Sequence, residues 1–264
     1  MYDFEYVKPS SLADAVALLK AHGEARPLAG GMTLVPTLKQ RLARPSHLID
    51  LAGLPDLSGI KVSSTEIVVG AMTTHAAVAR SVDVRKAIPA LAHLAEGIGD
   101  PHVRHRGTMG GSLANNDPAA DYPAAVLALD ATIKTNARRI AADDFFTGMF
   151  ETALEPGEIV VSVAFPVPQK AAYMKFRNPA SRYAMCGVFV AKTKSGVRVA
   201  VTGAGPCVFR QTEMEDALAQ KWSPDALGRI AQAANGLTED IHGTAEYRAH
   251  LVRVLAQRAV QAAG

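Results

Sequence analysis

The chain of 264 residues carries 28 Lys and Arg against 25 Asp and Glu, a formal net charge of +3, with 48% hydrophobic and 20% charged residues. This is the profile of an ordinary globular protein, long enough for one large domain or two to three small ones. The charge is too small to argue for nucleic acid, no RRM, zinc-finger or helix-turn-helix signature accompanies it, and no apolar run approaches the roughly 18 residues of a membrane span.

Residues 1–55 alternate short strands and helices. Ser11 with Asp14 three positions on has capping-box form, Leu12, Val16, Leu18 and Leu19 share a helix face, and Gly23 is a natural stop. Pro27 leads into a glycine loop, Leu28-Ala29-Gly30-Gly31-Met32-Thr33-Leu34-Val35-Pro36. Thr33 is placed to cap a helix through Leu42, and Leu48 to Leu51 reads as a short buried strand.

Residues 56–168 form a second lobe. Gly59 to Val62 and Glu66 to Gly70 flank Ser63-Ser64-Thr65 as a hairpin. Thr73 or Thr74 starts a helix to Ala79, and Pro89 starts another to Glu96. A long central loop follows, then a helix from Pro123 to Leu129, a strand from Thr132 to Thr135, and an alternating strand from Glu158 to Phe165. Residues 170–264 change character. Tyr173 to Arg177, Ala184 to Thr193 and Val197 to Gly203 read as one antiparallel sheet. Helical stretches follow at Thr212 to Gln220, Pro224 to Ala234 and Thr244 to Ala262, the last with Tyr247, Leu251, Val254, Leu255 and Val260 on one broad face.

The central loop, Arg104 to Asp121, concentrates the chemistry: three basic or titratable side chains, then Gly107, Gly110 and Gly111, then amides and two carboxylates. Glycines let backbone approach a ligand without an intervening Cβ, and successive N–H groups in such a turn form an anion-binding nest. With the 28–36 loop, two such segments are suited to the two phosphates of a dinucleotide, although a G-G pair by itself is also simply a tight turn. Neither loop is a Rossmann or P-loop sequence. His102, Arg104, His105 and Arg106 either offset phosphate charge or form a solvated basic strand. Asp117 and Asp121 either accept hydrogen bonds from ligand hydroxyls or are acids at a helix N-terminus. No metal-ligand spacing and no nucleophile with its base is evident, so no catalytic residue is assigned. Cys186 and Cys207, the only cysteines, cannot ligate an iron–sulfur cluster, and two free thiols fit a reducing compartment. The N-terminus, Met1-Tyr2-Asp3-Phe4-Glu5, lacks signal-peptide features, which points to the cytoplasm.

Ala29-Gly30-Gly31-Met32-Thr33, Thr108-Met109-Gly110-Gly111-Ser112-Leu113-Ala114 and Asp117-Pro118-Ala119-Ala120-Asp121, with Pro179 to Ala184 beyond them, resemble the motifs of the medium, FAD-binding subunit of molybdenum hydroxylases. The likeness is strongest to the carbon monoxide dehydrogenase medium chain within the wider xanthine dehydrogenase family. The resemblance implies an α+β fold: a two-subdomain FAD-binding fold of the vanillyl-alcohol-oxidase/p-cresol-methylhydroxylase type (1–55 and 56–168) and a C-terminal α/β domain (170–264). It implies that 28–36 and 108–112 hold the FAD pyrophosphate, with Asp117 and Asp121 beside them and Asp121 near the adenosine ribose. Val160, Arg177 and Tyr183 would then lie by the flavin. Met32 departs from the His or Gln common there. The partners implied are a large subunit with a molybdopterin-type molybdenum cofactor and a small subunit with two [2Fe–2S] clusters, as a dimer of heterotrimers. The alternatives are a stand-alone FAD oxidase of the same fold and a flavin-free scaffold.

Overall fold

The computed structural model describes residues 1–264. Ser11 accepts the Asp14 N–H at 3.1 Å and starts the helix Leu12–Ala21, as its spacing predicts. That helix covers a parallel sheet of three strands in the order Glu5–Val7, His47–Asp50, Arg26–Leu28. Ala15, Ala25, Ile49, Leu51, Leu54 and Leu57 fill its core, joined by Ile159 from far along the chain. The next helix is shorter than expected, Leu34–Lys39, and Thr33 has helical backbone and gives no side-chain cap. Arg41 takes a positive φ of 59°, which ends the helical run and leaves Leu42 exposed outside it.

The middle of the chain builds a five-stranded antiparallel sheet, Ile60–Val62, Glu66–Gly70, Val160–Pro166, Thr132–Thr135, Arg139–Ala141 in spatial order. Helices occupy the long crossover: His75–Arg80, Val82–Ala87, Pro89–Glu96, Pro101–Arg106, Met109–Asn115 and Tyr122–Ala128. The stretch read from sequence as an open loop is therefore mostly helical. Asp100 accepts the Val103 N–H at 2.9 Å with Pro101 in the first turn, and Thr108 accepts the Gly111 N–H at 3.2 Å. Glycine is tolerated in that second helix because a Cβ on Gly110 would stand 2.5 Å from the Ala71 Cβ. The close approach outweighs the weak helix propensity.

The C-terminal sheet orders Lys170–Arg177, Ala184–Thr193, Gly196–Thr202 and Phe209–Arg210, all antiparallel. Both faces are covered. Tyr173, Phe189, Ala191 and Ala200 join the core of the middle lobe, while Val188, Val190, Val199 and Val201 meet the helices Thr212–Gln220 and Ala245–Ala263. Two-sided burial explains the near-continuous apolar run from Ala184 to Ala191. The long helix buries Arg248, Leu251, Val252, Leu255, Ala256, Ala259 and Val260, whereas Tyr247 stays exposed and Val254 half-buried, so the face is rotated from the one expected. The stretch expected as a helix from Pro224 to Ala234 holds one 3-10 turn, Pro224–Leu227, and then irregular chain.

Asn116 joins the middle lobe to a small hairpin. It ends the helix Met109–Asn115 in the left-handed region at φ 42°, and its buried amide donates to the carbonyls of Gly148 and Glu151 at 2.8 and 2.7 Å. Asn116→Ala leaves two carbonyls unpaired and puts a Cβ residue where left-handed backbone is costly, so it should destabilise by about 2 kcal/mol or more. Asn116→Gly, which restores only the backbone freedom, should recover part of that loss in urea unfolding.

Candidate functional site

The two glycine segments meet. A Cβ on Gly30 would lie 2.0 Å from the Arg106 carbonyl oxygen, and one on Gly107 would lie 2.6 Å from His75 Nε2. Backbone of the first lobe thus rests directly on backbone of the second. A cavity of about 1160 Å³ runs along this seam. It exceeds the roughly 300–1,000 Å³ of ordinary small-molecule sites and suits an extended dinucleotide.

Most of the sequence-derived candidates line it. From the first segment come Ala29, Gly30, Gly31, Met32, Thr33 and Leu34; from the second, Thr108, Gly110, Gly111 and Ser112. Asp117, Asp121, Val160 and Tyr183 complete the set. The rest do not reach the wall. Leu28 and Val35 pack against Gly31, Pro36 lies inside the following helix, and Met109 is a fully buried core residue. Arg177 borders a separate recess of about 150 Å³ with His93, Gly97 and Lys175. A register shift between Phe176 and Arg177 bends the strand there.

The two segments differ in what they offer. The N–H groups of Ala29 through Leu34 donate to no acceptor within the chain, and Gly31 at φ 72° turns the backbone as such a nest requires. In the second segment the N–H groups are largely consumed: Met109 donates to Thr73 O, Gly110 to Ala71 O, Gly111 to Thr108 Oγ1 and Ser112 to Thr108 O, at 2.8–3.2 Å. The donors left to it are the Thr108 N–H and the hydroxyls of Thr108 and Ser112. Sequence symmetry between the loops is not matched by symmetry of function.

Asp121 is 4% exposed and fixed by the C-terminal sheet. Tyr173 donates its hydroxyl to one carboxylate oxygen at 2.5 Å and Lys175 its ammonium to the other at 2.9 Å; Lys175 also donates to Gly97 O. Burial raises the Asp121 pKa, while Lys175 and Tyr173 oppose that rise. Asp121 stands at the start of the helix Tyr122–Ala128 without capping it through its side chain. Asp117 turns back to accept the Ala119 N–H at 2.9 Å. Tyr183 is 47% exposed, at the end of a turn held by Asn178, whose side chain accepts from Ala180 and Ser181.

His75 is the residue that sequence reasoning passed over. Thr74 caps its helix, and the cap rather than the next residue drew attention. The imidazole lines the cavity, only 4% exposed, and Nδ1 has no hydrogen-bond partner. Burial first, and the Arg104 charge second, lower its pKa to about 4. Glu158 also lines the cavity, held ionised with a pKa of about 2 chiefly by its hydrogen bonds from Arg138.

Two measurements test this electrostatic picture. Between pH 6.5 and 4 the unfolded chain carries a proton that His75 lacks when folded. Stability from this group is therefore present above that window and lost as pH falls through it, by up to about 3 kcal/mol. The unfolding free energy of the parent should drop relative to that of His75→Leu across this window; a constant difference would contradict the assignment. Asp121→Asn leaves the Lys175 charge buried without its counter-ion and should cost about 3–5 kcal/mol. The pair Asp121→Asn with Lys175→Met should cost less than Asp121→Asn alone.

Residues 2–168 match the model of the FAD binding domain in molybdopterin dehydrogenase, and residues 171–263 that of the CO dehydrogenase flavoprotein C-terminal domain. The chain is 38% identical to the carbon monoxide dehydrogenase medium chain of Afipia carboxidovorans, over 98% of this chain and 96% of that one. It is 36% identical to the nicotine 6-hydroxylase medium subunit of Paenarthrobacter nicotinovorans, over 98% and 96%. Its fold superposes on a chain of reconstituted CO dehydrogenase from Oligotropha carboxidovorans with a TM-score of 0.91 at 35% identity, covering 99% of this chain and 98% of that one. These similarities bear out the α+β FAD-binding fold with its C-terminal domain. The chain belongs to the family of FAD-binding medium subunits of the molybdenum hydroxylases, and is an oxidoreductase subunit.

Proposed function

We propose that this chain binds FAD along the inter-lobe cavity and relays electrons within a molybdenum hydroxylase complex. In this reading electrons leave a molybdopterin-type cofactor in a large subunit and pass through two [2Fe–2S] clusters in a small subunit. They reach the flavin here and then an external acceptor. Two such heterotrimers associate as a dimer. The units 1–55, 56–168 and 170–264 divide the work: the first two grip the dinucleotide, and the third covers the middle lobe.

The observation that carries the reading is the run of unused N–H groups from Ala29 to Leu34 at the seam. An unpaired backbone donor is costly unless a ligand or water takes it, and a pyrophosphate supplies several acceptors. Gly30 lets this segment close on the Arg106 carbonyl, and Gly31 turns its backbone at φ 72°. Thr33, Thr108 and Ser112 add hydroxyls. Val160 offers an apolar surface and Tyr183 a half-exposed aromatic one to the isoalloxazine. Asp121 accepts from a ribose hydroxyl with the lone pairs that Tyr173 and Lys175 leave free, with Asp117 beside it. Bound flavin supplies the redox chemistry; the chain supplies binding, orientation and shielding. No helix is long and apolar enough to cross a membrane.

Gly111→Val tests the site. A Cβ there already meets Thr108 Oγ1 at 2.9 Å and Ala29 Cβ at 3.5 Å, so a branched side chain fills the gap between the two segments. The variant should lose flavin absorbance while keeping its far-UV circular dichroism; flavin content equal to the parent would remove these segments from the site. For the relay, flavin in the complex should bleach on addition of the complex's substrate, and the isolated chain should be reduced very slowly. Rapid substrate-driven reduction of the isolated chain would favour a stand-alone oxidase.

A further inference from the structure

His75 has the character of a ligand-binding group with no assigned ligand. Its ring is packed at 5.3 Å, centroid to centroid, against Tyr122, and both Nδ1 and the Tyr122 hydroxyl are buried with no partner in the chain. Nε2 also makes no hydrogen bond, yet it is not among the sealed polar atoms, and its residue lines the cavity. Gly107 allows this, since a Cβ at that position would come within 2.6 Å of Nε2. Gly30 also packs on Gly107, where its own Cβ would be 2.9 Å from the Gly107 Cα. His75, Gly107 and the first loop with its unused N–H run therefore line one cavity within a few ångströms of one another.

We infer that His75 is a positioning residue for the cofactor, donating Nε2–H to an oxygen of the bound pyrophosphate from beneath the joint of the two glycine segments. The inference rests on the FAD reading and adds to it a donor outside both loops. The ring acts in its neutral form. Burial and the Arg104 guanidinium both disfavour the imidazolium, and the Arg104 head is itself engaged by the carbonyls of Ile98 and Gly99 at 3.0 and 3.1 Å. The Tyr122 ring packs against the imidazole and holds its orientation. In the neutral ring a proton on Nε2 is free to be donated, since Nδ1 meets no acceptor in the chain that would hold the proton there. The backbone is fixed as well, because the His75 N–H donates to Gly107 O at 3.0 Å.

The test is FAD titration of the full-length apo-chain with His75→Leu and His75→Gln, followed by ³¹P NMR of the bound cofactor. Leu keeps the bulk without a donor, whereas the Gln side-chain amide can present an N–H towards the position of Nε2. His75→Leu should weaken FAD by about tenfold and shift one pyrophosphate resonance, and His75→Gln should recover most of the affinity and the parent spectrum. Parent affinity and an unshifted ³¹P spectrum in His75→Leu would overturn the inference. Equal weakening by Leu and Gln would also overturn it, by assigning His75 to packing. A parent chain that binds no FAD would instead remove the reading on which the inference rests.

Discussion

The contact of Gly30 with the Arg106 carbonyl is the constraint on which the rest of the molecule depends. At a hypothetical Cβ distance of 2.0 Å no other residue fits, and the lobes can close only because backbone meets backbone. The cavity is the space left along that closure. Its floor is fixed by further main-chain bonds: His75 N–H to Gly107 O, Met109 N–H to Thr73 O and Gly110 N–H to Ala71 O. These tie the second glycine segment into the middle lobe and use up most of its backbone donors. The first segment, held only at its flanks, keeps its donors for a ligand.

The C-terminal sheet completes the arrangement rather than standing apart. One of its faces shares the apolar core of the middle lobe, and Tyr173 and Lys175 reach from it to Asp121 on the cavity wall. Burying a carboxylate and an ammonium is costly unless each finds its partner. The two are therefore a condition on how the third unit docks, because a small displacement would leave two charges unpaired. Thr202 adds neutral bonds to the same seam, donating to Ala120 O and Pro118 O at 2.6 and 3.1 Å.

Local signals were legible wherever a short-range mechanism sets the structure. Ser11, Thr74 and Thr244 cap helices, Pro89 opens one, and alternation marks the strand from Glu158 to Phe165. Legibility failed where a distant neighbour decides. Gly110 and Gly111 read as loop because their helix depends on Ala71 across the lobe and on the Thr108 cap. Pro224 to Ala234 has helical composition yet forms one turn and irregular chain; no specific contact accounts for the break. Tyr247 fits the apolar pattern of its helix, but Arg248 takes the buried position because its guanidinium donates to Met185 O and Gly203 O.

By itself the sequence determined the capped helices and main strands outside the central segment, the two glycine segments and, through their resemblance to a known family, the α+β FAD-binding fold. Glycines, caps and alternation act over a few residues, and so they can be read in a line. Only the tertiary structure decided which of those residues face the cavity. It placed Met109 in the core and Arg177 at another recess, gave free donors to one glycine segment and internal bonds to the other, and brought His75 to the wall. Each outcome depends on approaches between residues far apart in the chain, where excluded volume and the pairing of buried polar groups choose among arrangements that local sequence leaves equivalent.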